Sequence, residues 1–198
     1  MVDNFDLIKR KIYFNDLSGL FFHLQVIRRG KDHPDLPSAN RVIKTYYVES
    51  QEYLEKIKDE VIQLCKLFKA RAYINIAEKS FEDLSKLVNF KLSERIYTGD
   101  FKKIYKLFNS CAGELKSKSV RWIIDIDNLD DEIPVLQWLD QYFEKYYDIY
   151  RIYLYAQIPT KSGKHLIICS PFNIQEFKQA FPNIDIHKNN PTLLYAET

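Results

Sequence analysis

A very short connection between two strand-like segments is the feature that most restricts how this chain can fold. The segments "IYRIYLYAQI" and "KHLIICS" are separated only by "PTKSG", residues 159–163. Parallel neighbours need a much longer crossover, so these strands are predicted to pair antiparallel. A helix is predicted at 133–146, before the two strands, and a second helix over Phe172–Phe181, after them. The resulting order of strand, helix, strand, strand, helix, strand predicts an α+β fold with a split βαβ sheet, antiparallel or mixed.

The first half has its own pattern of strands and helices. The runs "FFHLQVIRRG" and "NRVIKTYYVES" are predicted to pair antiparallel, and Ser50 to cap an amphipathic helix over 51–70. The strand "RAYINIAEK" and helices around 81–89 and 100–111 follow. We therefore predict a smaller N-terminal α/β unit at 1–115 and the split βαβ subdomain at 116–198, together forming one core.

Composition narrows the class of protein. A hydrophobic fraction of 46% and an aromatic fraction of 15% indicate a packed globular chain. The net charge of +2 gives no sign of a broad cationic surface, although binding depends on where charges lie. The three cysteines are far apart without a CxxC pair, which favours reduced core thiols over a zinc site. No signal peptide or apolar run of about 18 residues is evident, so a soluble, cytoplasmic protein is expected.

The segment "RWIIDIDN", residues 121–128, places two acidic residues in an apolar strand. Residues two apart in a strand share a face, so Asp125 and Asp127 are predicted to project together, with Ile126 opposite. Paired carboxylates suit a hard divalent cation such as Mg²⁺ or Mn²⁺. The alternative is the solvated end of a strand, continued by Asp130 and Asp131. The pattern alone leaves both interpretations open.

Two later segments carry further candidate residues. In "PTKSGKHLI", Ser162, Lys164 and His165 surround a glycine turn, and hydroxyl, backbone N–H and cationic groups suit a phosphate. An ordinary hairpin turn explains the same residues. In "NIDIHKNNPTLLY", Asp185 is predicted to face a site with His187 on the same side, and an ordinary surface strand is again the alternative.

The order of these three segments resembles a known family. "WIIDID", then "SGKH", then "IDIHK" is similar to the motif series of the archaeo-eukaryotic primase superfamily, the primase-polymerases. The resemblance covers roughly residues 70–198. It implies an RNA-recognition-motif-like sheet beside a smaller α/β unit, and a metal-dependent nucleotidyltransferase that adds nucleotides to a nucleic-acid strand in DNA replication or repair.

The resemblance also implies roles for individual residues. Asp125, Asp127 and Asp185 would bind Mg²⁺ or Mn²⁺ and carry the catalysis. Ser162 and His165 would hold the triphosphate of the incoming nucleotide, with Lys164 as a helper. Arg71 is expected to line the same cleft, together with Asn75 and Lys79.

Expected partners follow from this scheme, and two other functions stay open. The partners are nucleoside triphosphates, a DNA or RNA template and replication proteins such as a helicase, with no membrane. The basic residues expected to contact the template backbone are Arg28, Arg29, Lys31, Arg41 and Lys44. The alternatives are a metal-dependent nuclease and a non-catalytic nucleic-acid or nucleotide-binding module of a replication complex.

Overall fold

The protein is an α+β chain with antiparallel sheets, as expected from the sequence. The computed structural model describes residues 1–12, 19–33, 40–146 and 153–197. Its six helices within those ranges are α1 Phe5–Lys11, α2 Gln51–Phe68, α3 Phe81–Thr98, α4 Leu107–Glu114, α5 Glu132–Tyr146 and α6 Ile174–Ala180. The strands are β1 Val2–Asp3, β2 Leu20–Arg28, β3 Arg41–Val48, β4 Arg71–Ile74, β5 Lys79–Ser80, β6 Trp122–Ile126, β7 Leu154–Pro159, β8 Lys164–Ile168, β9 Asp185–His187 and β10 Thr192–Ala196.

The first sheet has the order β1-β10-β4-β2-β3, with β5 paired to the start of β2. The predicted antiparallel pairing of the two N-terminal runs is confirmed as β2 and β3. Helix α2 packs its apolar side on this sheet, through Leu54, Ile57, Val61 and Cys65. Its predicted cap is also confirmed, since the Ser50 hydroxyl accepts the backbone N–H of Tyr53 at 3.0 Å.

The second sheet has the order β7-β8-β6-β9, and every pair in it is antiparallel. One face packs against α5 and α6, because Ile124 and Ile126 of β6 share a core with Val135 and Phe177 of those helices. The opposite face contributes Ile123, Ala156, Ile158 and Ile167 to the core of the first sheet. The two sheets therefore pack together over one shared core.

The last strand differs from the predicted division of the chain. The sequence predicts one subdomain at 116–198, but β10 lies inside the first sheet, between β1 and β4. All five of its residues are buried, which is typical of a central strand. The buried side-chain amide of Asn4 donates to the carbonyls of Leu193 and Pro159, at 2.9 Å each. This amide joins β10 of the first sheet to β7 of the second.

Helices α3 and α4 form a separate, smaller layer on the first sheet. They bury Phe21, Leu84, Leu107 and Cys111 in a third cluster. Helix α3 extends nine residues beyond its predicted end at 89, and ends where Gly99 takes a left-handed conformation at φ 70°. Residues 100–103 precede α4 without joining it, so the predicted helix at 100–111 starts too early.

The environments of the cysteines agree with reduced core thiols. Cys65 and Cys111 are buried, and Cys169 is half-buried with its thiol donating to the Tyr153 carbonyl at 3.3 Å. None of the three forms a disulfide within the described residues. Within the described ranges, none of the helices is long and apolar enough to cross a membrane.

A buried histidine makes the fold sensitive to acid. His23 lies in β2 opposite Tyr47, and its Nε2 atom is buried without a hydrogen-bond partner among the described residues. Burial, and then the nearby charge of Lys79, lower the pKa of His23 to about 4. Between pH 6.5 and 4 the unfolded chain therefore binds a proton at this position that the folded chain does not. The free energy of unfolding must fall as the pH falls through that window.

Replacing His23 by Phe should reduce this sensitivity. Wild-type protein is expected to lose stability from pH 7 to pH 5, and His23→Phe to lose about 2 kcal/mol less. Urea unfolding of both proteins at the two pH values measures the difference. Equal losses in the two proteins would show that His23 is not buried in its neutral form.

Candidate active site

Asp125 lies in β6, and Asp127 directly follows the end of that strand, at the edge of the shared core where the second sheet faces the first. Strand alternation places Ile124 and Ile126 in the core under α5 and α6, and turns Asp125 and Asp127 to the opposite side. Both carboxylates line a pocket of about 140 Å³ between the sheets. The predicted common face of the pair is therefore present in the structure.

The glycine turn between β7 and β8 packs directly on the end of β6. The hydroxyl of Ser162 donates to Oδ1 of Asp127 at 3.0 Å. Thr160 closes the turn, because its N–H donates to the Gly163 carbonyl and its hydroxyl accepts the Gly163 N–H. A Cβ atom on Gly163 would lie 1.8 Å from the carbonyl oxygen of Ile126, which explains why glycine stands here.

His165 lies directly opposite Asp125 across the β6–β8 pair. Its Nε2 atom is 3.4 Å from Oδ1 of Asp125, and its Nδ1 atom is 2.8 Å from the hydroxyl oxygen of the buried Thr192. Burial, and then the charge of His187, lower the pKa of His165 to about 4. The contact with Asp125 is therefore that of a neutral imidazole, not an ion pair, at neutral pH.

Asp185 lies next to Asp125 in the pairing of the strands, but its carboxylate is directed to Lys178. It is directly opposite Asp125 across the β6–β9 pair, so the two residues share a face. Its Oδ1 atom is 3.5 Å from Nζ of Lys178 in α6, and its side chain is 73% exposed. Over the ranges that the structure describes, no three His, Cys, Asp or Glu side chains are grouped closely enough to hold a metal ion. Strand pairing thus places Asp185 opposite Asp125, but the three carboxylates of the expected triad do not meet at one point among the described residues.

Lys164 does not lie with the other predicted site residues. It precedes His165 in β8 and points to the opposite face, where its ammonium is 2.6 Å from the carboxylate of Glu132 at the start of α5. The structure brings Ser162 and His165 into the pocket and places Lys164 outside it.

Four basic residues in the described ranges line the pocket opposite the aspartates: Arg29, Lys31, Arg71 and Lys161. Arg71, which was expected in the cleft, also places its guanidinium 2.6 Å from Asp32. Arg29 donates to the hydroxyl of Tyr73 at 3.2 Å. Lys161 was not among the residues predicted for the site. Its position next to Ser162 in the same turn could have indicated that it lies there. Lys79, also expected in the cleft, is buried in β5, where its ammonium donates to the Ala112 carbonyl at 2.8 Å.

The charges around Asp125 favour a bound cation. Burial raises the pKa of this carboxyl most, and the neighbouring charge of Asp127 raises it further. The charge of His187 lowers the pKa by more than Asp185 raises it, and Lys31 has the smallest effect, also downwards. A divalent cation between the carboxylates would remove that repulsion. The donor chemistry of Asp125 and Asp127 therefore fits Mg²⁺ or Mn²⁺, while Asp185 would have to leave Lys178 to join them.

No protein-family model, curated protein or solved structure matches this chain.

The contact between the glycine turn and β6 predicts a clear mutational effect. Gly163→Ala is expected to destabilise the protein by about 1–3 kcal/mol, because the new methyl group meets backbone that cannot move aside easily. Gly113→Ala is the matched control, since Gly113 lies in α4 and a methyl group there would have no atom within 4 Å. The control should be neutral or up to about 1 kcal/mol more stable. Urea unfolding compares the two, and equal stability of both variants would contradict the close packing.

Proposed function

We propose that the protein is a metal-dependent nucleotidyltransferase of primase-polymerase type, adding nucleotides to a nucleic-acid strand. The observation that carries this proposal is the composition of one pocket. It combines the paired carboxylates of Asp125 and Asp127, the phosphate-suited groups of Ser162 and His165, and a wall of arginine and lysine side chains. Carboxylates for a metal next to cations for a polyphosphate are the components that phosphoryl transfer needs.

The topology supports the finer description of the fold as RNA-recognition-motif-like. Strands β6 and β7 flank α5 in sequence, and β8 lies between them in the sheet. A strand inserted between the two strands of a βαβ unit is the arrangement that the word "split" describes. Both α5 and α6 cover the same face, and the candidate site lies on the other face, at the edge of the core shared with the first sheet.

The side chains have separable tasks in this scheme. Asp125 and Asp127 would hold Mg²⁺ or Mn²⁺, which supplies charge neutralisation and activation of a hydroxyl nucleophile when bound. Ser162 orients Asp127 through its hydrogen bond, and the neutral imidazole of His165 lies beside Asp125. The cationic wall positions phosphate oxygens and offsets their charge.

A larger groove next to the pocket supports a nucleic-acid strand as the second substrate. Its volume is about 780 Å³, and it shares Arg71 and Lys161 with the pocket. Lys66 and Lys69 also line the groove, and the carboxylates of Asp32 and Glu197 offset part of its positive charge. A groove with more cationic than anionic side chains next to the candidate site suits a phosphate backbone, from either a DNA or an RNA template.

A second candidate function is a non-catalytic nucleotide-binding module. The observation that favours it is the pairing of Asp185 with Lys178, which keeps the third carboxylate away from Asp125 and Asp127. In that case the protein would bind nucleotide and cation, and a partner such as another replication protein would supply the chemistry.

The acidic pair should control nucleotide binding. We expect wild-type protein to bind a nucleoside triphosphate in the presence of Mn²⁺, and Asp125→Asn/Asp127→Asn to bind at least about tenfold more weakly. Asn retains the shape and accepts the Ser162 hydrogen bond, so the loss isolates charge. Isothermal titration calorimetry measures both, with Asp130→Asn/Asp131→Asn in the adjacent loop as the control. Equal binding by wild type and the pair variant, or by neither, would argue against a nucleotide site.

The role of Asp185 separates the two candidate functions. If the protein is a polymerase, Asp185→Asn should reduce Mn²⁺-dependent primer extension by at least about 100-fold, since a charged metal ligand is worth several kcal/mol in the transition state. Nucleotide affinity should change much less. Lys178→Met frees the carboxylate and should keep or increase extension. Binding of nucleotide without extension by any of these proteins would identify the binding module, and degradation of the primer instead would identify a nuclease.

A further inference from the structure

The segment that joins α3 to α4 has an unusual surface. From residue 89 to residue 106 no side chain is fully buried, although Leu92 packs against the third cluster and Lys91 pairs with Glu114 of α4. Large apolar side chains are strongly exposed there, with Tyr97 at 93% and Tyr105 at 79%. The others are Phe90, Ile96, Phe101 and Phe108. We call residues 90–108 the aromatic hairpin. Exposed apolar groups gathered in one place usually mark a binding surface.

The helix that leads into the aromatic hairpin begins far from the candidate active site. Helix α3 starts directly after β5, which pairs with Leu20 and Phe21 at the beginning of β2. The pocket lies beyond the other end of β2, at Arg29. Seven residues of extended strand separate Phe21 from Arg28, a distance of about 23 Å. None of the hairpin residues lines the active-site pocket.

Positive charge alternates with the aromatic side chains along the hairpin. In the segment "RIYTGDFKKIYKLF", residues 95–108, four basic residues accompany one acidic residue. Each exposed ring has a basic residue within two positions in sequence. Within the described residues, Lys102, Lys103 and Lys106 form no ion pair. The ammonium of Lys106 lies 5.7 Å from the ring centre of Tyr105. These charges are thus available to a ligand together with the rings.

Hydrogen bonds within the hairpin stabilise its turn without covering the exposed aromatic side chains. The guanidinium of Arg95 donates to the carbonyl of Lys102 at 2.8 Å, which ties the end of α3 to the start of the turn. The carboxylate of Asp100, the one acidic group in the segment, accepts the backbone N–H of Lys102. The rings of Tyr97, Phe101 and Tyr105 are therefore presented by an internally bonded turn.

The interleaving of rings and lysines decides between possible ligands. The centre of a protein–protein interface is depleted in lysine, whereas this surface carries three unpaired lysines among its rings. Single-stranded nucleic acid needs both features, because bases stack on aromatic side chains and phosphates attract the cations between them. We infer that the aromatic hairpin is a second nucleic-acid site, which binds a single strand by stacking on Tyr97, Phe101 and Tyr105. This site goes beyond the proposed function, and its test is independent of metal and nucleotide.

Fluorescence anisotropy with labelled oligo(dT) of about 12 nucleotides, without divalent cations, tests the inference. We expect wild-type protein to bind, and Tyr97→Ala/Tyr105→Ala to bind at least about tenfold more weakly. The reason is that the stacking of a single base on an aromatic side chain changes affinity by about fivefold or more. Lys102→Glu/Lys103→Glu should weaken binding and flatten its salt dependence. Tyr53→Ala/Tyr146→Ala, two exposed tyrosines outside the hairpin, should bind as wild type does. Circular dichroism verifies that the variants are folded, as expected for exposed positions.

The outcomes separate this site from the active site and from other ligands. If the hairpin variant and the control variant bind oligo(dT) equally, the inference is overturned, whatever Asp125→Asn/Asp127→Asn does to nucleotide binding. If only duplex of the same length binds, stacking on unpaired bases is wrong. Hairpin-dependent binding to phosphatidylserine vesicles without binding to oligo(dT) would assign the surface to a membrane. Hairpin-dependent dimerisation in light scattering, again without oligo(dT) binding, would assign it to a second copy of the chain.

Discussion

The position of β10 is the constraint on which the rest of the structure depends. This strand ends the described chain, yet it lies within the first sheet, between β1 and β4. Its Thr192 hydroxyl contacts His165 of the second sheet, and its Leu193 carbonyl accepts the amide of Asn4, which also bonds to β7. Because β10 belongs to one sheet and is bonded to the other, it fixes the distance between them. The pocket exists only in that fixed space.

The pocket derives its chemical character from the meeting of the two sheets. The second sheet supplies the acidic groups, from β6, and the first sheet and its loops supply Arg29, Lys31 and Arg71. Neither sheet alone would suit a nucleotide with its metal ion. The carboxylates of the second sheet repel phosphate, and the basic side chains of the first sheet repel a metal ion. Together they place opposite charges a short distance apart, so that a metal–triphosphate complex could be recognised as a unit. The burial that raises the pKa of Asp125 is a consequence of the same packing.

Local patterns in the sequence were sufficient for part of this arrangement. Alternation predicted the common face of Asp125 and Asp127, and the short connection predicted the antiparallel β7–β8 pair that brings Ser162 to Asp127. Alternation also explains why Lys164 is absent from the pocket, since it neighbours His165 in the same strand and must point away from it. The sheet membership of β10 depends on pairing with residues more than a hundred positions earlier, which no local pattern encodes. Lys178 likewise approaches Asp185 only through the folded position of α6.

The edge strand β9 holds Asp185, the carboxylate that would have to leave Lys178 to join a cation at Asp125 and Asp127. It has three residues and pairs on one side only among the described strands, so its side chains are held less firmly than those of β6. An exposed ion pair such as Asp185–Lys178 contributes little stability, typically under about 1 kcal/mol. A divalent cation bound to Asp125 and Asp127 would attract the Asp185 carboxylate more strongly than one screened ammonium does. Register already places Asp185 opposite Asp125, so a change of side-chain rotamer, without a change of fold, is the movement that completing the triad requires.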